Sequence, residues 1–218
     1  KSRVKHIARM PEDKTDNKQL FYNIELLDEA IDKGRKVRFR YLEYKSDKKL
    51  HKRCDKDGKV RDYIINPYQL VAKEGKYYLI CNYDKYNDIS NYRVDRIIDM
   101  EILDERVKPF NTLTGSDGRP LDLKEYMEKH IYMFAGENIR AVFRITKDCF
   151  SDVIDMFGKD IKLSEETDTH ITVTADVNNL AMMHFAKTYT PWIEIIKPAK
   201  LREEMIEILS TGLEKYKE

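Results

Sequence analysis

Cysteine and glycine are both scarce in this chain, with three and eight among 218 residues. Cys54, Cys81 and Cys149 are scattered and form no C-x-x-C pair, which excludes a disulfide framework and fits a reducing cytoplasm. So few glycines leave no phosphate-cradling loop. The sequence has no Walker motif, glycine-rich dinucleotide turn, G-x-S-x-G or H-E-x-x-H. His51 and Cys54 have the spacing of a metal half-site, but no second pair follows and Lys52 and Arg53 stand between them. They read as a solvated loop, and no metal is expected. No apolar run approaches the roughly 20 residues that cross a bilayer, and residues 1–17 lack the hydrophobic centre of a signal peptide. With no nucleophile placed beside a base, neither an enzyme nor a bound cofactor is expected.

Charge is abundant, at 36% of residues against 41% hydrophobic, yet the net charge is only +1. Its distribution is uneven. Residues 33–62 hold 13 Lys or Arg against 5 Asp or Glu, whereas residues 150–218 hold 8 against 13. Such asymmetry is expected when one region meets a polyanion and the other does not.

Residues 1–19 read as a linker from an N-terminal region that this chain, starting at Lys1, lacks. Leu20, Ile24, Leu27 and Ile31 recur at helical spacing, with Gly34 where a helix end favours positive φ. Val37, Phe39 and Tyr41 alternate with Arg38 and Arg40, so a strand turns its apolar side inward and its guanidinium groups outward. A basic hairpin follows over 45–62, with a return strand ending at 63–65. Residues 65–98 then read as a meander in which 77–83 is a central strand and 91–97 a single strand. Tyr77, Leu79 and Cys81 share its core face, and Tyr78 lies opposite. Residues 109–138 read as a connector with a short helix at Leu123, Tyr126, Met127 and His130. From residue 139 the pattern is strand, helix, two strands, helix, strand and a final helix opened by Pro198, a ferredoxin-like order.

Pro67-Tyr68, then Tyr77-Tyr78-Leu79 after a glycine turn, then Tyr92-Arg93-Val94-Asp95-Arg96-Ile97, resembles the WYL domain of bacterial transcriptional regulators. Tyr77 replaces the Trp of the name motif, and Ser90 stands where an Arg is common. Ile193, Pro198, Leu201 and Arg202 are similar to the ending of the WYL C-terminal extension. The resemblance implies an α+β chain: a small Sm-like barrel with a lid helix over 20–108, then a ferredoxin-like extension over 139–218. It also implies an N-terminal helix-turn-helix outside this chain that contacts promoter DNA, and a homodimer.

Arg38, Arg40, Arg93 and Arg96 come from neighbouring strands and are interleaved with Tyr41, Tyr68 and Tyr78. Guanidinium groups bind phosphate bidentately and tyrosine rings stack on bases, so these seven residues form a candidate platform for single-stranded nucleic acid or a nucleotide. In the bland alternative Arg96 pairs with Asp95 and the tyrosines are core. Three functions fit: a ligand-sensing regulator region, an accessory nucleic-acid-binding protein of a CRISPR-type defence system, or a purely structural dimerisation module.

Overall fold

The computed structural model describes residues 19–116 and 118–217. The expected linker therefore lies outside the described residues, apart from Gln19. The chain divides into two compact units. The first contains the residues up to Tyr86 and Tyr92–Lys108; the second contains Asn87–Asn91 and Pro109–Glu218. It is an α+β protein with two antiparallel sheets and five α-helices among the described residues. None of those helices is long and apolar enough to cross a membrane.

The first unit opens with α1 (Leu20–Asp32). The helix stops at Gly34, whose φ of +60° costs no Cβ clash and whose N–H reaches the Ile31 carbonyl at 3.0 Å. Strand β1 (Arg35–Tyr44) then buries Val37, Phe39 and Tyr41 and keeps Arg38 and Arg40 on its other face. Side chains alternate across a strand, so this one sequence segment faces both core and solvent. Burial of each large apolar side chain contributes about 1.5–3 kcal/mol.

The remaining strands are β2 (Leu50–Lys52), β3 (Asp62–Lys73), β4 (Lys76–Tyr83), β5 (Ile89–Arg93) and β6 (Ile97–Arg106). Their order is β2-β1-β3-β4-β5, and β6 pairs with β1. The two ends of this sheet are joined by one 3-10 turn, Val94–Arg96. A three-residue link forces the sheet to curl until β5 and the start of β6 are neighbours. No ladder closing the curl into a barrel is present among the described residues.

Three local expectations change. The return strand does not end at residue 65; β3 runs to Lys73 and absorbs Pro67 at a register shift against β4 between Pro67 and Gln69. Proline lacks the N–H that a regular ladder needs, and an irregularity accommodates it. The run 91–97 is not one strand, because the 3-10 turn interrupts it. Tyr77 is not core: it is 40% exposed, while Leu79 and Cys81 are fully buried. Tyr77 pairs with Ala72 close to the Glu74-Gly75 turn, where the hairpin has run past the core.

In the second unit, α2 (Leu123–Lys129) begins at Asp122, whose carboxylate accepts from the Glu125 N–H at 3.0 Å. Next come β7 (Asn138–Thr146), α3 (Phe150–Phe157), β8 (Lys162–Ser164), β9 (His170–Asn178), α4 (Asn179–Thr188), β10 (Ile193–Lys197) and α5 (Ala199–Glu214). The sheet order is β10-β7-β9-β8, antiparallel throughout. Ala141, Phe143, Ile145, Val173, Val177, Phe185 and Met182 form its core. Trp192 lies in a 3-10 turn before β10 rather than in the strand.

Candidate functional site

Inside the curl of the first unit, five aromatic rings pack together. Phe39 stacks on Tyr63 at 5.5 Å, and Tyr92 meets Phe39, Tyr41 and Tyr63 edge-on at 5.4, 5.2 and 5.6 Å. Tyr83 adds to the same cluster 5.5 Å from Tyr63. Strand alternation on β1 and β3 sends these rings inward, and each tyrosine brings a hydroxyl into a largely apolar space.

Arginines lie over this cluster. The Arg53 guanidinium is 5.5 Å from the Tyr41 ring, and Arg61 lies 4.8 and 5.1 Å from the Tyr63 and Tyr83 rings, within cation-π range. Backbone pairing places them side by side, since the Arg53 N–H bonds the Tyr41 carbonyl at 2.8 Å and the Arg61 N–H bonds the Arg53 carbonyl at 2.9 Å. Arg96, from the 3-10 turn, lies 5.9 Å from the Tyr44 ring.

These cations differ in how far they are neutralised. Arg53 binds the Glu43 carboxylate at 2.9 Å. Burial lowers the Arg53 pKa, but Glu43 and the Tyr63 hydroxyl outweigh it and the pKa ends above its ordinary range. Arg61 and Arg96 have no carboxylate partner among the described residues. The Tyr83 hydroxyl is the main group raising the Arg61 pKa, against burial. Arg96 Nε is buried with no hydrogen-bond partner, and so is the Tyr63 hydroxyl, whose residue is only 1% exposed. A buried polar atom left without a partner costs on the order of 1–3 kcal/mol, and two lie in this cluster. Burial also raises the pKa of the Tyr92 and Tyr41 hydroxyls, so both stay protonated as donors.

The seven residues singled out in the sequence do not form one surface. Arg38 and Arg40 lie on the outer face of β1, where Arg38 pairs with Glu101 and Arg40 with Asp62 at 3.0 Å and Asp99 at 3.1 Å. Lys52 also reaches Asp99, at 2.8 Å, so this face is a cross-strand ion ladder. Tyr68 donates its hydroxyl to the Lys108 carbonyl at 2.9 Å. The buried Asn66 amide accepts from the Lys108 N–H at 2.9 Å, so this end of β3 fastens the chain beyond β6. Tyr41, Tyr78, Arg93 and Arg96 do come together: both arginines are close enough to lower the pKa of each tyrosine hydroxyl, which burial raises. Within that group Arg93, not Arg96, takes Asp95, through Nε at 3.0 Å and a second nitrogen at 2.6 Å. The Arg93 N–H also donates to the Tyr41 hydroxyl at 3.1 Å.

Sequence reading passed over Arg53, Arg61, Tyr63 and Tyr83. Arg53 and Arg61 were counted with the solvated hairpin, yet they flank the Asp57-Gly58 turn and lead directly into β3. His51 Nε2 lies 2.7 Å from Asp47, and Cys54 forms an isolated β-bridge with Val60.

This geometry is an aromatic cluster with cationic groups above it. Residues 22–102 match the model of the WYL domain, so the chain contains a WYL domain. Two solved structures match the chain at 16% identity each. One is the proteasome accessory factor B/C (PafBC) of Arthrobacter aurescens, matched over 92% of this chain and 28% of that chain with a TM-score of 0.35. The other is described as a CRISPR Cas-related protein, matched over 91% of this chain and 53% of that chain with a TM-score of 0.50. The chain thus spans about a quarter and about half of their lengths. No curated protein matches it.

Proposed function

We propose that this chain is the ligand-sensing and dimerising region of a bacterial transcriptional regulator, and that single-stranded nucleic acid or a nucleotide binds its WYL domain. The observation that carries this reading is that Arg61 lies over the Tyr63 and Tyr83 rings with no carboxylate partner among the described residues, while Arg96 Nε, from the turn beside Tyr44, is buried without a hydrogen bond. A phosphate would supply the missing acceptor, and a base would find the exposed Tyr44 ring or the partly buried Tyr83 ring. We read the curled sheet as an open Sm-like barrel and the β10-β7-β9-β8 sheet as ferredoxin-like. The effector binds one state of a homodimer better than the other and shifts the population between them. Promoter DNA is contacted by an N-terminal domain.

The exposed lysines of the arm around β2, Lys45, Lys48, Lys49, Lys56 and Lys59, favour a second reading. In it, the chain is an accessory protein of a defence system that binds nucleic acid of any sequence through the backbone. The described fold similarity to a CRISPR Cas-related protein is compatible with that reading.

The test is fluorescence anisotropy with labelled single-stranded DNA and RNA across a salt series, using wild type, Arg61→Gln, Arg96→Gln and Arg38→Gln, with thermal melts as folding controls. The expected result is salt-sensitive binding that Arg61→Gln and Arg96→Gln abolish and Arg38→Gln leaves nearly intact. Equal losses in all three folded variants point to the backbone-binding reading, and absence of binding at low salt rejects both.

A further inference from the structure

Helix α5 carries two apolar lines. Leu201 and Met205 are buried against the second unit, and Ile208 continues that line at 39% exposure. About a quarter turn away, Ile206, Leu209 and Leu213 are 53, 43 and 57% exposed, and Tyr216, in the closing turn, is 90% exposed. Their spacing of three, four and three residues is that of the a and d positions of a coiled coil.

The end of this helix projects away from its own unit. Between residues 206 and 216 every position except Gly212 is exposed. A helical stretch of about a dozen residues is marginal in water without packing, and this one presents an apolar seam that no other described residue covers. Arg202 meanwhile occupies the neighbouring strand edge, where it bonds the Ile195 carbonyl at 2.5 Å and Glu194 at 2.8 Å. Strand-to-strand pairing at β10 is therefore blocked there, beside the helix seam.

We infer that α5 pairs antiparallel with α5 of a second copy of this chain through Ile206, Leu209, Leu213 and Tyr216. The helix is complementary to itself in that alignment. Matching a to d positions sets Ile206 against Tyr216 of the copy and Leu209 against Leu213, each twice by symmetry. Gly212, with no atom within 4 Å of where a Cβ would stand, and Ser210 flank the centre and permit close approach. Glu203 falls opposite Lys217 of the copy, again twice. The inference deepens the dimer of the proposed function and is independent of which effector binds. A seam of about one and a half heptads predicts a reversible, concentration-dependent dimer.

The experiment is sedimentation equilibrium of the full 218-residue chain, wild type beside Leu209→Glu, Glu203→Lys, Lys217→Glu and the double charge reversal. Circular dichroism melts serve as the folding control. The expected result is a wild-type dimer whose Kd rises at least about tenfold, or about 1.4 kcal/mol, in Leu209→Glu with folding retained. Each single charge reversal should weaken it, and the double reversal should restore it. A dimer indifferent to Leu209→Glu overturns the seam while leaving dimerisation in place. A wild-type chain that stays monomeric at every concentration overturns both. Weakening by Leu209→Glu without rescue by the double reversal overturns the antiparallel alignment.

Discussion

The two units bury aromatic residues for different ends. The hydrophobic cluster of the second unit buries phenylalanine rather than tyrosine: Phe143, Phe157 and Phe185 pack among Ala, Val, Ile and Met, with Tyr132 and Tyr189 only partly buried at its edge. The first unit's core holds Tyr41 and Tyr63, packs Tyr83 and Tyr92 against them, and places Arg53 and Arg61 on the rings. A domain that needed only to fold would gain from phenylalanine at the Tyr63 position, because the Tyr63 hydroxyl is buried without a hydrogen bond. The contrast is between an aromatic cluster of phenylalanines and one of tyrosines with guanidinium groups on the rings.

The largest effect that would break this contrast is in the second unit's core. Phe143→Ala should cost about 3–5 kcal/mol of stability, measured by urea unfolding, because a fully buried ring leaves a cavity. A loss under 1 kcal/mol would show that the second unit is as loosely committed as the first.

Next in size, Arg61→Gln should weaken oligonucleotide binding on the order of 10–100-fold with a melting temperature near wild type. Arg93→Gln should act mainly on stability, because it removes a bidentate ion pair with Asp95, which is 14% exposed. If the two variants behave alike in both assays, the division between free and committed arginines fails.

Tyr63→Phe sharpens the comparison through its sign. Stability should be unchanged or rise by up to about 1 kcal/mol while effector affinity falls several-fold. A variant that melts lower and binds normally would make the hydroxyl structural.

The smallest expected effect is on acid stability. Lys52 and then Arg40 hold Asp99 below the ordinary carboxylate range; for Asp84, burial is outweighed by Asn66, Lys36 and Lys108. A lowered carboxylate pKa adds stability above the unfolded value, and that stability is lost as pH falls through the folded value. Melting temperature should therefore decline below about pH 4, and Asp84→Asn combined with Asp99→Asn should flatten the decline. A wild-type profile level down to pH 3 would remove these pairs from the account.

Much of the fold could be read from local pattern. The alternation Val37, Phe39, Tyr41 against Arg38, Arg40 marked both faces of β1, Gly34 marked the end of α1, and the order of elements after residue 138 followed from periodicity. Long-range pairing was less legible. Asp62, Asp99 and Glu101 neutralise the outer arginines only because strand register brings β3 and β6 alongside β1. The 3-10 turn at Val94–Arg96 was hidden because Arg93, Asp95 and Ile97 alternate as a strand would. Arg53 and Arg61 were hidden by the basic hairpin around them, in which every lysine carries the same charge and few reach the rings.

That turn has a mechanical side. Asn23, buried on α1, donates its side-chain amide to the Ile97 carbonyl at 2.8 Å, one residue beyond Arg96. This single buried bond ties the turn that carries Arg96 to α1, so α1 and the turn are latched together and a displacement of one is expected to move the other.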